Sequence, residues 1–268
     1  MDTTFLLAGG DRRQFWLSRL LRPLGRIYSV GVPELADCLP EAPVDVLILP
    51  TPCLNSSGRL RAAAVEGLDP AALRGVYDVH TRVYGGALPR TVEALLPGCG
   101  TVCDLLRDPT VAAVNGRLTA EAAVSLVMEQ TEDTLFARPC LVLGWGRIGK
   151  PLAILLSGLG AEVHVAARRP EIRAEAAQLG FAAQDFETRG SAPAVVFNTV
   201  PAPALSRPAM EALGADTLWV ELASAPGGLP ADWQPPFSVL NGNSLPGRRL
   251  PRAAAQALLE GILSREVM

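Results

Sequence analysis

The sequence predicts an α/β protein of two domains, each an open, doubly wound parallel sheet with helices on its faces. Three observations lead there. Apolar runs of strand length alternate with segments of helical period in both halves of the chain. That alternation is interrupted near residue 118 by a strongly helical stretch. The second half then opens on an apolar run that turns through three glycines, Leu141-Val-Leu-Gly-Trp-Gly-Arg-Ile-Gly149. With 268 residues, 49% of them hydrophobic, the chain can bury two modest cores.

Phe5-Leu-Leu-Ala8 reads as the first strand, and Gly9-Gly-Asp-Arg12 turns it into an amphipathic helix carrying Phe15, Leu17, Leu20 and Leu21. Arg26-Ile-Tyr-Ser-Val30 and Val44-Asp-Val-Leu-Ile-Leu49 are the second and third strands, the latter stopped by Pro50 and Pro52. A fourth strand is expected at Gly75-Val-Tyr-Asp-Val79, then a helix from Pro89 to Leu96 and a short strand before Asn115. These elements make a flavodoxin-like domain. Leu118 to Met128 is helical, with Thr119 its candidate N-cap, and is expected to bridge the two halves in front of a cleft.

Gly144, Gly146 and Gly149 have the G-x-G-x-x-G spacing, and Lys150 to Leu156 continues as a helix. In that spacing the first glycine permits the turn, the second admits a pyrophosphate against the backbone, and the third lets helix and strand pack closely. The phosphates take the unpaired N–H groups at the helix N-terminus. A second strand follows at Ala161–Ala167, so the motif has Rossmann context on both sides. The expected cofactor loop is therefore Gly144, Trp145, Gly146, Arg147, Ile148 and Gly149. At the end of the second strand an NAD site usually carries an Asp or Glu for the ribose 2′-hydroxyl, but this chain reads Ala167-Arg168-Arg169-Pro170. Two guanidinium forks suit a 2′-phosphate, so the expected cofactor is NADP, held by Arg168 and Arg169.

A helix from Glu171 to Leu179, a short strand at 180–183 and a strand at 194–197 come next. That last strand ends in Asn198, Thr199, Val200 and Pro201, and the strand at 217–222 ends in Ala223 and Ser224. Polar strand ends at this rim face the cofactor crevice, so these six complete the expected contacts. A final helix spans Arg252 to Ser264. The expected division is an N-terminal substrate and catalytic domain over 1–117 and an NADP-binding Rossmann domain with its bridging helix over 118–247. A C-terminal helix over 248–268 is expected to pack back toward the interdomain region.

The formal charge of -3 and the absence of basic runs argue against a nucleic-acid partner. The start Met1-Asp-Thr-Thr4 enters a strand directly, so neither a signal peptide nor a transmembrane span is expected, and the setting is cytoplasmic. Five scattered cysteines fit reduced thiols there. Cys99 and Cys103 have a spacing zinc could use, but no second Cys/His pair accompanies them, so no metal site is expected.

Several motifs in order resemble one family: Gly9-Gly-Asp-Arg12, Leu47-Ile-Leu-Pro50, Asn115 with Thr119-Ala-Glu121, Leu143 to Gly149, Ala167-Arg168, Asn198-Thr-Val-Pro201, Leu222-Ala-Ser-Ala-Pro-Gly-Gly228 and Leu245-Pro-Gly247. Together they resemble the A subunit of dipicolinate synthase over nearly the whole chain. The resemblance implies NADP-linked oxidation of dihydrodipicolinate to pyridine-2,6-dicarboxylate in the mother cell of a sporulating bacterium. It also implies a smaller, flavoprotein-like B subunit as partner. A homodimer is left open. Two stretches depart from the family: Asn115-Gly-Arg-Leu-Thr119 replaces its usual Asn-Ser-x-Pro-Thr, and Leu250-Pro-Arg252-Ala-Ala replaces Ala-Pro-Lys-Thr-Ala.

Such chemistry asks for a base and for cations facing two carboxylates. Arg12, Arg117 and Arg252 are the candidate cations. His80 is a candidate base because its ordinary pKa lies near neutrality; Asp78 and Glu121 are candidates if burial raises theirs. His164, mid-strand, reads as a packed histidine. Two other functions are weighed: an NADP-binding sensor subunit without hydride transfer, and a shikimate-dehydrogenase-like reductase suggested by Asn198-Thr-Val-Pro201. The latter class usually relies on a lysine–aspartate pair in its N-terminal domain, and Lys150 is the only lysine here.

Overall fold

The computed structural model describes residues 3–64, 66–187 and 192–266. The chain divides into two compact units, Met1–Asn115 with Pro246–Met268, and Gly116–Leu245.

The N-terminal unit runs β1 (Thr3–Ala8), α1 (Arg12–Leu21), β2 (Gly25–Val30), β3 (Val46–Ile48), β4 (Arg82–Gly85), α2 (Val92–Leu95) and β5 (Val102–Asp104). The strands are parallel in the order β2-β1-β3-β4-β5, which is the flavodoxin-like arrangement with its reversal between β1 and β3. Because both faces of a parallel sheet are covered, β1 is apolar without alternation: Phe5 and Leu7 enter one core, Leu6 and Ala8 the other. Asp11 caps α1, its Oδ1 accepting the Arg13 N–H at 3.0 Å, and Leu17 and Leu21 are fully buried beneath the helix.

The strand expected at 75–79 is a loop. Gly75 has φ +85°, and Asp78 and Thr81 tie a tight turn, the Asp78 N–H donating to Thr81 Oγ1 at 3.1 Å; extended pairing starts only at Arg82. The bridging helix α3 is longer than expected, Pro109–Thr131. Asp108 starts it, with Oδ1 accepting from the N–H groups of Thr110 at 2.8 Å and Val111 at 3.0 Å, and Pro109 occupies the first turn. Thr119 is consequently a buried mid-helix residue, not a cap. In length and apolarity α3 could cross a bilayer, with a mean hydropathy of 1.2 in its most apolar window, but 61% of that window is buried in protein, as in a core helix.

The C-terminal unit continues through β6 (Pro139–Leu143), α4 (Gly149–Gly158), β7 (Glu162–Ala166), α5 (Pro170–Gln178), β8 (Ala182–Gln184), β9 (Val195–Asn198), α6 (Arg207–Glu211), β10 (Leu218–Glu221) and β11 (Ser238–Asn241). Its six parallel strands are ordered β11-β10-β9-β6-β7-β8, which read from the other edge is the Rossmann order, with the reversal between β6 and β9. Both predicted sheets are therefore present. Neither α6 nor β11 is foreseen in the sequence; β11 lacks a buried face, which removes the apolar signal. The chain ends in α7 (Leu245–Arg249) and α8 (Pro251–Glu266). Helix α8 packs on α1, with Ala255, Leu258 and Ile262 joining the core beside Leu17 and Leu21, so it is part of the N-terminal unit.

Candidate functional site

The glycine loop between β6 and α4 has three chemically distinct positions. Gly144 has φ +95°, and a Cβ there would stand 2.6 Å from Thr199 Oγ1. A Cβ on Gly149 would stand 2.1 Å from the Gly144 carbonyl oxygen. A Cβ on Gly146 would meet nothing within 4 Å. The first and third glycines are thus demanded by the fold, and the second leaves open space beside bare backbone. No side chain caps α4; the Lys150 N–H already donates to the Gly146 carbonyl at 3.1 Å and Pro151 has none, so what this helix start offers an anion is the Gly149 N–H with those of the turn before it. An open cradle at an uncapped helix start fits the pyrophosphate of a dinucleotide. Gly116 of α3 also serves this loop, since a Cβ there would stand 2.1 Å from the Arg147 carbonyl oxygen. The departure from the family pattern at 116 thus coincides with a close approach of α3 to the loop.

The side chain of Trp145 is engaged within the protein, edge-on to Phe181 at 5.5 Å, with Lys150 Nζ 5.9 Å from its ring centroid. Its indole Nε1 is buried without a hydrogen-bond partner. Lys150 donates to Glu175 at 2.6 Å, and this bond holds the Glu175 carboxyl below its ordinary range. Arg168 and Arg169 follow β7 at its carboxyl end, both exposed; Arg169 lies 3.8 Å from Glu171. The Arg168 carbonyl accepts from Arg173 at 2.7 Å, which fixes the backbone from which the Arg168 side chain projects.

The rim formed by the ends of β9 and β10 is held by a residue that sequence reasoning missed. Glu221 accepts from Asn198 Nδ2 at 2.7 Å, Trp219 Nε1 at 3.2 Å, Ala223 N at 3.1 Å and Gly228 N at 3.0 Å. Asn198 is fully buried; its amide also donates to the Val200 carbonyl at 3.0 Å and accepts from the Val200 N–H at 3.1 Å. With those groups spent, Asn198 shapes the loop and does not face a ligand, contrary to expectation. Thr199 Oγ1 donates to the Leu143 carbonyl at 2.7 Å and pins this loop to the glycine turn, while Val200 packs over Gly144. Ala223 is buried; Pro201 and Ser224 are exposed at the rim. A carboxylate at the end of a strand, as in Trp219-Val-Glu-Leu222, was the available signal for Glu221.

Of the residues nominated for the substrate, Arg12, Asp78, His80 and Arg252 belong to the N-terminal unit and Arg117 and Glu121 to the other. Asp78 and His80 precede β4 and lie at the amino ends of the strands, where Asp78 Oδ1 accepts the His80 N–H at 2.8 Å. Ligands of open α/β sheets gather at the opposite edge, and here the two residues are tied into a turn. Arg117 and Glu121 pair with each other at 3.4 Å on an exposed stretch of α3, with side chains 68% and 45% exposed. Arg12 pairs with Glu34 at 2.8 Å. Arg252 stacks 5.5 Å from the Trp16 ring centroid. Arg12 and Arg252 do come together: with Trp16 they line a cavity of about 640 Å³ between α1 and the start of α8. His164 lies within β7, paired between Leu141 and Ala182, as a packed histidine would. Among the described residues no group of three or more His, Cys, Asp or Glu could hold a metal ion.

No protein-family model matches the sequence. The A subunit of dipicolinate synthase from Bacillus subtilis (strain 168) is 25% identical over a 279-residue alignment that takes in 96% of this chain and 93% of that protein. The crystal structure of the dipicolinate synthase A chain from Bacillus subtilis superposes with a TM-score of 0.81 at 24% identity, covering 100% of this chain and 97% of that one. The corresponding protein from Bacillus halodurans superposes at 0.83, also with 24% identity, covering 98% and 97%. A transhydrogenase from Sinorhizobium meliloti, 13% identical, shares the fold at a TM-score of 0.63, with 97% and 91% covered. The chain is thus a relative, along nearly its whole length, of the dipicolinate synthase A subunit, with the Rossmann-type, oxidoreductase-like architecture its motifs predict.

Proposed function

We propose that the chain is an NADP-dependent oxidoreductase subunit that oxidises dihydrodipicolinate to pyridine-2,6-dicarboxylate. In this reading it works with a flavoprotein-like second subunit in the cytoplasm of a sporulating mother cell. The observation that carries it is the open backbone at Gly146 beside the uncapped start of α4. The substrate rests on the likeness to the dipicolinate synthase A subunit.

Bound NADP supplies the hydride acceptor. The chain's own residues bind and position. The N–H groups of the turn after Gly144 hold the pyrophosphate, and Gly144, whose own N–H donates to the Ala166 carbonyl at 2.8 Å, and Gly149 keep the loop tight enough to aim them. Arg168, exposed where β7 ends and unaccompanied by a carboxylate for a ribose 2′-hydroxyl, grips the 2′-phosphate. Glu221 and Asn198 stiffen the rim on which Thr199 and Ser224 stand, so that this wall keeps its shape. Aromatisation of the substrate also releases a proton, and its two carboxylates call for guanidinium partners.

The test is purification of the chain with and without its second subunit, supplied with dihydrodipicolinate and NADP, following pyridine-dicarboxylate absorbance and the nicotinamide band. Turnover that needs NADP and rises on addition of the partner is expected. Full turnover by the isolated chain, unchanged by the partner, overturns the two-subunit reading. No turnover with both present overturns the enzymatic one.

A further inference from the structure

Two arginine–aromatic contacts lie end to end along α1. Arg19 Cζ stands 4.9 Å from the Phe15 ring centroid, the Phe15 and Trp16 rings meet edge-on at 5.6 Å, and Arg252 of α8 closes the row with Cζ 5.5 Å from the Trp16 centroid. Both rings are half-buried, and both arginines are exposed. Among the described residues no hydrogen bond or ion pair engages either guanidinium. A ring offers no oxygen acceptor, so each cation is positioned by its aromatic neighbour and keeps its N–H donors for another molecule.

The surroundings of this row are basic. Residues 12–22 include four arginines and residues 245–259 three, and neither stretch contains an Asp or Glu, although the chain as a whole has a net charge of -3. Arg13 turns inward onto Asp11 at 2.6 Å and Arg12 pairs with Glu34 at 2.8 Å, whereas Arg19, Arg22 and Arg252 are exposed. Farther along α8, Glu260 accepts from Gln256 at 3.1 Å. Beside the row lies the groove of about 640 Å³ between α1 and α8, with Trp16, Leu20, Leu250 and Pro251 as its apolar lining and Arg12 and Arg252 as cations of that lining. Tryptophan and arginine around an apolar cleft have the composition of an interface hot spot. Pairing of this face with the same face of a second copy would set arginine against arginine, and the net negative charge of the chain disfavours a nucleic acid. An acidic protein surface meets neither objection.

We propose that this face docks an acidic segment of a protein partner. An apolar side chain of the segment enters the groove, and carboxylates flanking it meet Arg19 and Arg252. Guanidiniums already held against rings lose little freedom on pairing, and the basic face steers the acidic one into register. Under the function proposed above the partner is the second subunit, and the proposal rests on that reading.

The experiment is calorimetric titration of the full chain with the purified second subunit at low and at high salt. Wild type, Arg19→Glu, Arg252→Glu and Arg252→Lys are compared, each also titrated with NADP. Arg74→Glu, at an exposed position in the loop before β4, makes the same change of charge elsewhere. Arg252→Glu is expected to weaken the complex about 30-fold or more and Arg19→Glu about 10-fold, with NADP affinity unchanged. Arg252→Lys is expected to retain most of the affinity. Wild-type affinity is expected to fall as salt rises, and the two reversals, unlike Arg74→Glu, to flatten that dependence, which a merely structural role does not do. Wild-type affinity in both reversals overturns the docking face and leaves the two-subunit reading standing. An equal loss in Arg74→Glu overturns it as well, since net charge alone then accounts for the effect. Absence of any complex with the wild type overturns both readings. Binding of the wild type to phosphatidylserine-containing vesicles, abolished in Arg252→Glu while the second subunit still binds that variant, assigns the face to a lipid surface and overturns the proposal.

Discussion

Replacing Gly146 by valine separates binding from folding, because the three glycines of one motif face different surroundings. At 146 nothing lies within 4 Å of the position a Cβ would take, so the free protein accepts the side chain, and the expected change in stability is within about 0.5 kcal/mol, as for an exposed site. At 149 a Cβ would approach the Gly144 carbonyl oxygen to 2.1 Å, well inside contact distance, and a backbone atom cannot rotate away. Gly149→Ala therefore strains the strand–helix turn by about 1–3 kcal/mol, as overpacking does, which lowers Tm by about 2–12 °C. Binding follows the opposite pattern. Valine at 146 occupies the space assigned to the pyrophosphate, and loss of about 3 kcal/mol of phosphate contacts weakens NADP by a factor of more than about 100. Thermal unfolding by circular dichroism and calorimetric titration with NADP read the two effects on one preparation. A folded Gly146→Val variant that binds NADP as the wild type does refutes the phosphate site, and a Gly146→Val variant as unstable as Gly149→Ala refutes the argument from open space.

Arg168→Ala is expected to weaken NADP about 10- to 150-fold, from about 1.5–3 kcal/mol for hydrogen bonds to a charged group, and to leave NAD nearly unchanged; equal loss for both cofactors counts against the 2′-phosphate role. Glu221→Ala strips the acceptor from four donors and is expected to cost on the order of 3 kcal/mol in urea unfolding, with a midpoint equal to wild type refuting the rim network. Burial pushes the thiols of Cys53 and Cys140 up to about 12, so in the native protein a thiol reagent is expected to label exposed Cys38 first and these two only on unfolding. The Thr4 hydroxyl and N–H lower the Asp45 carboxyl, so their contribution is present at neutral pH and is lost as the pH falls below about 4 through the native value; Asp45→Asn should flatten the acid limb of a stability–pH curve there.

Much of the architecture is legible in local pattern. Phe5–Ala8 and Leu141–Leu143 are unbroken apolar runs because a central parallel strand is buried on both faces, and a three-glycine turn after such a run has few physical realisations. The misplaced elements were those whose local signal competes with a turn. Val76 and Tyr77 look β-prone, yet Gly75 at φ +85° and the Asp78–Thr81 turn hold that segment as a loop, which leaves Asp78 and His80 at the amino end of β4. Thr119 resembles a cap, but Asp108 with Pro109 starts the helix a few turns earlier, so Arg117 and Glu121 fall at i and i+4 and satisfy each other.

By itself the sequence determined the two parallel sheets, the glycine cradle with its spacing, and the arginine pair where a carboxylate would mark NAD, because each is set by periodicity or by residues only a few positions apart. The tertiary structure decided which polar groups are free to meet a ligand. Asn198 is consumed by a glutamate 23 residues away, and Gly247 is pressed onto an Asp11–Arg13 pair from the opposite end of the chain. Hydrogen-bond capacity is spent between partners distant in sequence, and only the folded chain shows where it remains.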